Sequence, residues 1–378
     1  MRRLISKYIT KLLLSYKRYK NIKMFDNYFN KIIKSSSIPN RVSNKSTYNE
    51  WFDKWRVFGA KPNKKAYQIY SHFMGDNANI VPNDIARNYI EPVLTPEDVQ
   101  PFYNDKNSFS MFLPADIMPK TYFRSMNGLL YDGDYNSVRE DNFYKLFDDA
   151  ERLLVKPSRE LGGKGVSVFD KKDGKFIDSE GHALSLPYLL QTYGRNFIVQ
   201  EYLKQSPFMA QFNESSLNTI RIATHRSVTS GEIVILGAFI RIGGKGSIVD
   251  NISSGGSSVY IDNNGKLGKY AYDKYRRRSK IHNDINFYDN EFVIPNFEKV
   301  KDLVTKVAKC MPHMSLFAND VAIDENGEVK LIEVNTMQFA YTFYQVSGHP
   351  AFGEHTDDVI RYCLKEKDYF KIGLTQLY

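Results

Sequence analysis

The tightest constraint on what this chain can fold into is the stretch SLFANDVAIDENGEVKLIEVNT, residues 315–336. Two β-branched, alternating runs flank Asn326-Gly327, the strongest short hairpin signal. With those two residues as the turn, Glu325 faces Glu328, Ile323 faces Lys330 and Asp320 faces Glu333. Directly opposed carboxylates repel, so the pairing costs stability unless positive charge stands between them. Asn335 lies two residues beyond Glu333 and points to the same face. Asp, Glu and Asn oxygens on one face suit a hard cation such as Mg²⁺. An exposed sheet face with merely solvated acids is the alternative. The apolar residues Val321, Ile332 and Val334 between the acids point instead to a buried sheet.

A second informative stretch is LLVKPSRELGGKGVSVF, residues 153–169. A strand ends in Lys156 and a proline, and a glycine-rich turn leads into another strand. Lys156 at a strand end can reach a phosphate. Gly162, Gly163 and Gly165 let backbone N–H groups approach phosphate oxygens without a Cβ in the way. The spacing matches neither a Walker A loop nor a dinucleotide fingerprint. Alone, such a turn is as readily structural. Beside a separate Mg²⁺ constellation it points to a nucleoside triphosphate.

Together these segments resemble the ATP-grasp superfamily of carboxylate–amine ligases. Within it they are most similar to the sugar-transfer-associated branch, related to α-L-glutamate ligases and often found with surface-polysaccharide pathways. The resemblance spans about residues 100–340. It implies an α+β fold in which two lobes clasp ATP. NDKNSF resembles the segment that supplies a first ATP-contacting lysine, here Lys106. Lys156 resembles the second lysine, with Gly162, Gly163, Lys164 and Gly165 forming the loop over the phosphates. IVQEYL resembles the hinge that reads adenine through Glu201, Tyr202 and Leu203. Asp320, Glu333 and Asn335 match the metal ligands. LNTIRIAT places Arg221 like the arginine that faces phosphate or the acyl intermediate; a structural salt bridge is the other role for it. GAFIRIGGKGSIVDNISSGGSSVY resembles the strand and glycine loop near the substrates, nominating Arg241, Asn251, Gly255 and Gly256. Two departures stand out: Asn319 precedes the first metal Asp where some related ligases carry arginine, and no acidic ribose contact follows Glu201.

The implied activity is ATP- and Mg²⁺-dependent amide formation through an acyl phosphate, with carboxylate and amine substrates that are small molecules or glycans. A phosphotransferase on the same fold shares every nucleotide residue. A nucleotide-sugar-dependent glycosyltransferase rests only on the D-x-D of Asp132 and Asp134 in YDGDYN, a pattern that also reads as a turn. A non-catalytic scaffold is a further class, against which the metal ligands argue. No Ser/His/Asp or Cys/His set stands out, and the seven histidines show no ligand spacing.

Charge settles the question of nucleic acid. The net charge of +9 resides in residues 1–34, which hold ten basic side chains and the single acid Asp26, while the remainder holds 42 of each sign. The body therefore has no excess charge for a phosphate backbone. Cys310 and Cys363 form no zinc or disulfide framework, which favours a reducing, cytoplasmic setting. No run reaches the length of a membrane span, and residues 1–34 lack the features of a signal peptide.

Four segments are expected: a basic amphipathic helix over 1–40, a helical region over 41–105, a first lobe over 106–203 and a second over 204–378. The first of these either packs on the main domain with a solvated basic face or lies peripherally on the inner face of an anionic membrane. Trp51, Phe52, Trp55 and Phe58 have core spacing. Further helices are expected at 141–150, 183–192, 297–310 and 354–366.

Overall fold

A computed structural model describes residues 2–366, leaving aside positions 40, 161–164, 248, 338 and 340, and describes only the backbone of residues 2–7. Among the described residues, fifteen strands form two large antiparallel sheets and one small hairpin. The first sheet is built from β1 (Thr121–Met126), β2 (Leu129–Asp132), β3 (Arg152–Pro157), β4 (Ser167–Lys172), β5 (Lys175–Asp178) and β6 (Phe197–Glu201). Its order is β2-β1-β6-β3-β4-β5. The second contains β7 (Thr219–Arg226), β8 (Ile233–Ile242), β9 (Ser257–Ile261), β10 (Leu267–Tyr272) and β11 (Arg278–Ser279). The short pair β12 (Ile281–His282) and β13 (Ile285–Asn286) follows. The second sheet is completed by β14 (Leu316–Ile323) and β15 (Val329–Asn335), giving the order β11-β10-β9-β8-β7-β14-β15.

Strand alternation assigns the faces. In β3, Leu153 and Val155 enter the first lobe's core with Phe123, Phe169 and Phe197. Leu154 and Lys156 therefore turn to the other side. In the second sheet, Ile220, Ile222, Ile240, Phe317 and Val321 pack with Val300, Val304 and Val307 of the helix Phe297–Cys310. The opposite face carries Arg221, Arg241 and Asp320. One end of that face is covered, since Ala223, Phe239, Leu316 and Ala318 share a core with the N-terminal helices and with Tyr341 and Tyr344. The other end faces the first lobe.

The N-terminal helices are α1 (Arg2–Ser35), α2 (Lys45–Trp55) and α3 (Lys64–Met74). Trp51 and Trp55 are fully buried, and their indole N–H groups donate to the carbonyls of Ile80 at 2.7 Å and Ala78 at 3.2 Å. Asn44 caps α2 by accepting from the N–H of Ser46 and Thr47. The expected helix at 141–150 is instead a pair of 3₁₀ turns, Glu140–Asn142 and Tyr144–Phe147. Its Asp and Asn content gives little helical preference over so short a run. Phe143 and Phe147 anchor it by burial.

Candidate functional site

The hairpin that opened the analysis forms, with a correction to its turn. The loop is three residues long rather than two: Ile323 pairs with Val329, not with Lys330. Asp324 organises it, its carboxylate accepting from the N–H groups of Asn326 and Glu328, both at 2.9 Å. Gly327 takes φ +79, the left-handed residue of a three-residue loop. That turn alone would set Ile332 opposite Asp320. A bulge between Asp320 and Val321 on the ladder absorbs Ile332 as an extra residue, and Asp320 faces Glu333 as expected. Both Ile332 and Glu333 line the same cavity.

The acids are not a solvated surface pair. Asp320 is buried, and its two neighbours across the sheet are Arg221 on β7 and Glu333 on β15. Arg221 grips it in a fork, Nε to Oδ1 at 2.6 Å and Nη2 to Oδ2 at 2.6 Å. Arg241 donates to Oδ2 at 2.9 Å, and the Asn335 amide donates to the same oxygen at 3.2 Å. Burial works against ionisation of Asp320, and the two guanidinium groups outweigh it, holding the carboxyl below its usual range. Glu333 has its own partner: Lys106 Nζ donates to Oε1 at 3.0 Å and to the carbonyl of Glu160 at 2.9 Å. The charge that lets two carboxylates face each other is thus supplied by three cationic side chains of the chain itself.

Lys106 is fixed to the first sheet. Its N–H donates to the Ser158 carbonyl at 2.9 Å, while the neighbouring Asn107 amide donates to the Ser125 carbonyl at 2.9 Å. The Lys106–Glu333 pair therefore ties the two lobes together. Lys156 looks into the same space from β3. Burial pushes its ammonium down from 10.5 to about 7, Lys106 adds to that, and Glu333 opposes it. The shared cavity measures about 140 Å³ and is lined by Lys106, Lys156, Arg241, Asp250, Asp320 and Glu333. Leu154, Val166 and Ile332 form apolar parts of the wall.

Asp250 and Thr219 escaped the sequence analysis. Arg241 pairs with Asp250 at 3.0 Å, and the Thr219 hydroxyl donates to the same carboxylate. Burial raises the Asp250 pKa, with Arg241 opposing. The available signal was its place beside Asn251 in the glycine loop.

The remaining nominated residues lie elsewhere. Asn251 caps the turn Ile252–Ser254 by accepting from the Ser253 N–H at 3.1 Å and its hydroxyl at 2.9 Å. Gly255 has φ +94, and a Cβ on Gly256 would meet the Ile242 carbonyl at 2.6 Å. These three shape the loop and do not line the 140 Å³ cavity. Gly165 adopts φ +69 beside Pro157. Gly162, Gly163 and Lys164 fall outside the described residues. Glu201 accepts from the Lys120 N–H at 2.8 Å, and the Tyr202 ring lies 4.0 Å beneath the Arg152 guanidinium. The N–H of Tyr202 reaches the Arg152 carbonyl at 3.4 Å, and Leu203 follows at the end of β6.

A larger cavity of about 820 Å³ lies against β1 and β2, with Glu201, Asp132 and Asp134 on its wall. Asp132 is a turn residue there, accepting from the N–H of Asp134 and of Asn136, both at 2.9 Å. The D-x-D motif accordingly has a structural explanation.

The family model described as sugar-transfer associated ATP-grasp matches residues 85–359. The chain belongs to this family. The match extends beyond both ends of the segment that carried the resemblance in the sequence, and the two antiparallel sheets with a cleft between them are the ATP-grasp fold of this member. Among solved structures, this ATP-grasp chain is similar to the biotin carboxylase domain of 2-oxoglutarate carboxylase from Hydrogenobacter thermophilus, in complex with MgADP, ADP and bicarbonate. Identity is 14% and the TM-score 0.41, over 71% of this chain and 46% of that one, so the match spans about half the length of that protein. D-alanine–D-alanine ligase from Bacillus anthracis is 14% identical with a TM-score of 0.37, over 71% of this chain and 69% of that one. N5-carboxyaminoimidazole synthetase from Staphylococcus aureus is 10% identical with a TM-score of 0.35, over 68% and 52%. No curated protein sequence matches the chain.

Proposed function

We propose that this ATP-grasp protein is an ATP- and Mg²⁺-dependent carboxylate–amine ligase that forms an amide in surface-polysaccharide or glycan modification. The observation that carries the reading is the meeting, in one inter-lobe cavity, of the acid pair Asp320–Glu333 with Lys106 and Lys156. The oxygen donors of Asp320, Glu333 and Asn335 fit a hard divalent cation in kind. Among the described residues no group of three or more His, Cys, Asp or Glu side chains could hold a metal. Asp320, Glu333 and Asn335 would hold the cation. When bound, Mg²⁺ neutralises phosphate charge and orients the triphosphate.

The chain's own residues would do the rest. Lys106 and Lys156 would face the phosphate oxygens from the first lobe. Glu201, Tyr202 and Leu203 would receive the adenine. Arg241, on the cavity wall, would meet the transferred phosphoryl group or the acyl group. Arg221 grips Asp320 without lining the cavity and is best seen as a positioning residue. A substrate carboxylate oxygen attacks the γ-phosphorus and ADP leaves; the amine then attacks the acyl carbon and inorganic phosphate leaves. Catalysis by placement and electrostatics needs no side-chain nucleophile.

ADP release against a panel of amino acids, uronic acids and amino sugars, with mass spectrometry of the products, tests the proposal. A condensation product with one equivalent each of ADP and phosphate is expected. A stable phosphorylated product would assign a kinase instead, and ADP release that survives Glu333→Gln at the wild-type rate would remove the metal assignment. The expected loss in that variant is at least about 100-fold, since several kcal/mol of metal-derived charge stabilisation is at stake.

A further inference from the structure

Helix α1 has two unlike sides. Arg18, Asn21, Phe25, Phe29 and Ile32 turn inward: Arg18 lies 4.3 Å over the Tyr89 ring, Asn21 donates to Asn88 at 2.7 Å, and Phe29 and Ile32 are fully buried. This agrees with a helix packed on the main body. Its outer side carries exposed lysines and, among them, an apolar and aromatic stripe. Tyr8, Leu12, Tyr16 and Tyr19 are 56–68% exposed. Their spacing of four, four and three residues sets them on one stripe of the helix, with the exposed Ile9 and Leu13 beside it. Lys20 and Lys23 border that stripe in solvent, the Lys20 ammonium 4.9 Å from the Tyr16 ring.

We propose that the outer stripe of α1 docks on an anionic lipid surface, seating the enzyme peripherally on a membrane. Charge selects the occupant. Residues 1–34 carry all of the chain's excess of +9, so they seek a negative partner. A second copy presenting the same stripe would set lysines against lysines. Composition agrees: tyrosine with Leu and Ile, flanked by lysine, is the make-up of segments that lie at the headgroup boundary. No helix among the described residues is long and apolar enough to cross a membrane, so the contact is one of lying on the surface. The docking stripe sits on the helix side opposite the anchoring residues and can be engaged without disturbing them.

The test uses the full chain in vesicle flotation. Binding is expected to vesicles of phosphatidylcholine with phosphatidylglycerol at low salt, but not to phosphatidylcholine alone, and high salt should release it. Lys20→Gln/Lys23→Gln should weaken partitioning by about fivefold per lysine, the equivalent of ~1 kcal/mol per charge near an anionic leaflet. Leu12→Gln/Tyr16→Gln should lower it by at least about tenfold. Both variants change exposed side chains and should melt like the wild type. Absence of flotation with the anionic vesicles, equal binding to neutral ones, or wild-type flotation of the Leu12/Tyr16 variant would overturn the proposal. So would a concentration-dependent dimer in sedimentation that the same substitution dissolves.

Discussion

Asp320 is the residue on which the cleft turns, and its environment gives it a structural duty beside any catalytic one. The Arg221 guanidinium is paired with it, Arg241 divides its donors between it and Asp250, and the two arginines keep only 16% and 11% of their side chains exposed. Asp320→Ala should cost about 3–5 kcal/mol, the usual penalty for orphaning a buried charge pair, and urea denaturation will measure it. Lys156 carries a pH signature. Its pKa falls on folding from 10.5 to about 7, so between those values the unfolded chain holds the extra proton. Stability should therefore rise with pH from about 7 toward 10, with the penalty complete below 7. Denaturation curves across that range should flatten in Lys156→Met, which should also be the more stable protein at pH 7. At this scale residue type and spacing picked out Asp320, Glu333 and Lys156, which meet in one cavity. The sequence was silent on Asp250 and on which acids Arg221 and Arg241 pair with, because those pairings join β7, β8, the following loop and β14, which only the sheet register brings together.

At the scale of the element, the β14–β15 hairpin shows how a local signal can be right about a pairing and wrong about its cause. Asn326-Gly327 correctly marked the turn, yet the carboxylate of Asp324 draws Glu325 into the loop and shortens the first arm. The extra Ile332 lengthens the second arm, and the two irregularities restore the Asp320–Glu333 pair. Bulges have no composition signature, so this compensation could not be read from the sequence. Gly327→Ala meets no atom within 4 Å, and the only cost is its φ of +79. The substitution should lower stability by about 1–2 kcal/mol, the price of a Cβ in the left-handed region. A shift in the urea midpoint at unchanged slope is the expected readout. Elsewhere, strands with β-branched runs such as β7 and β8 were legible. The strand β1 was not, lying close behind a proline-rich stretch that reads as connecting segments.

At the scale of the whole molecule, the N-terminal helices do not form a separate appendage. Phe29 and Ile32 of α1 share a core with Trp51, Trp55 and the second sheet's Ala223 and Phe239. Removing residues 1–13 should leave the melting temperature unchanged, since the side chains described there are exposed or only partly covered. Phe29→Ala should instead destabilise by about 3–5 kcal/mol, as for a large aromatic lost from a packed core, and calorimetry will separate the two. Aromatic spacing revealed the packing of α2 in the sequence. That α1 has two apolar sides was hidden, because an exposed stripe and a buried one are identical in composition and differ only in what lies against them.

The bulge at Ile332 also makes the strand forgiving in an unusual place. Loss of one residue from a strand ordinarily inverts every side chain beyond it. Here the surplus position can vanish and the ladder would close with Glu333 still opposite Asp320 and Asn335 still opposite Ala318. A one-residue deletion at Ile332 should therefore leave the acids in register, provided the space vacated by the isoleucine is filled.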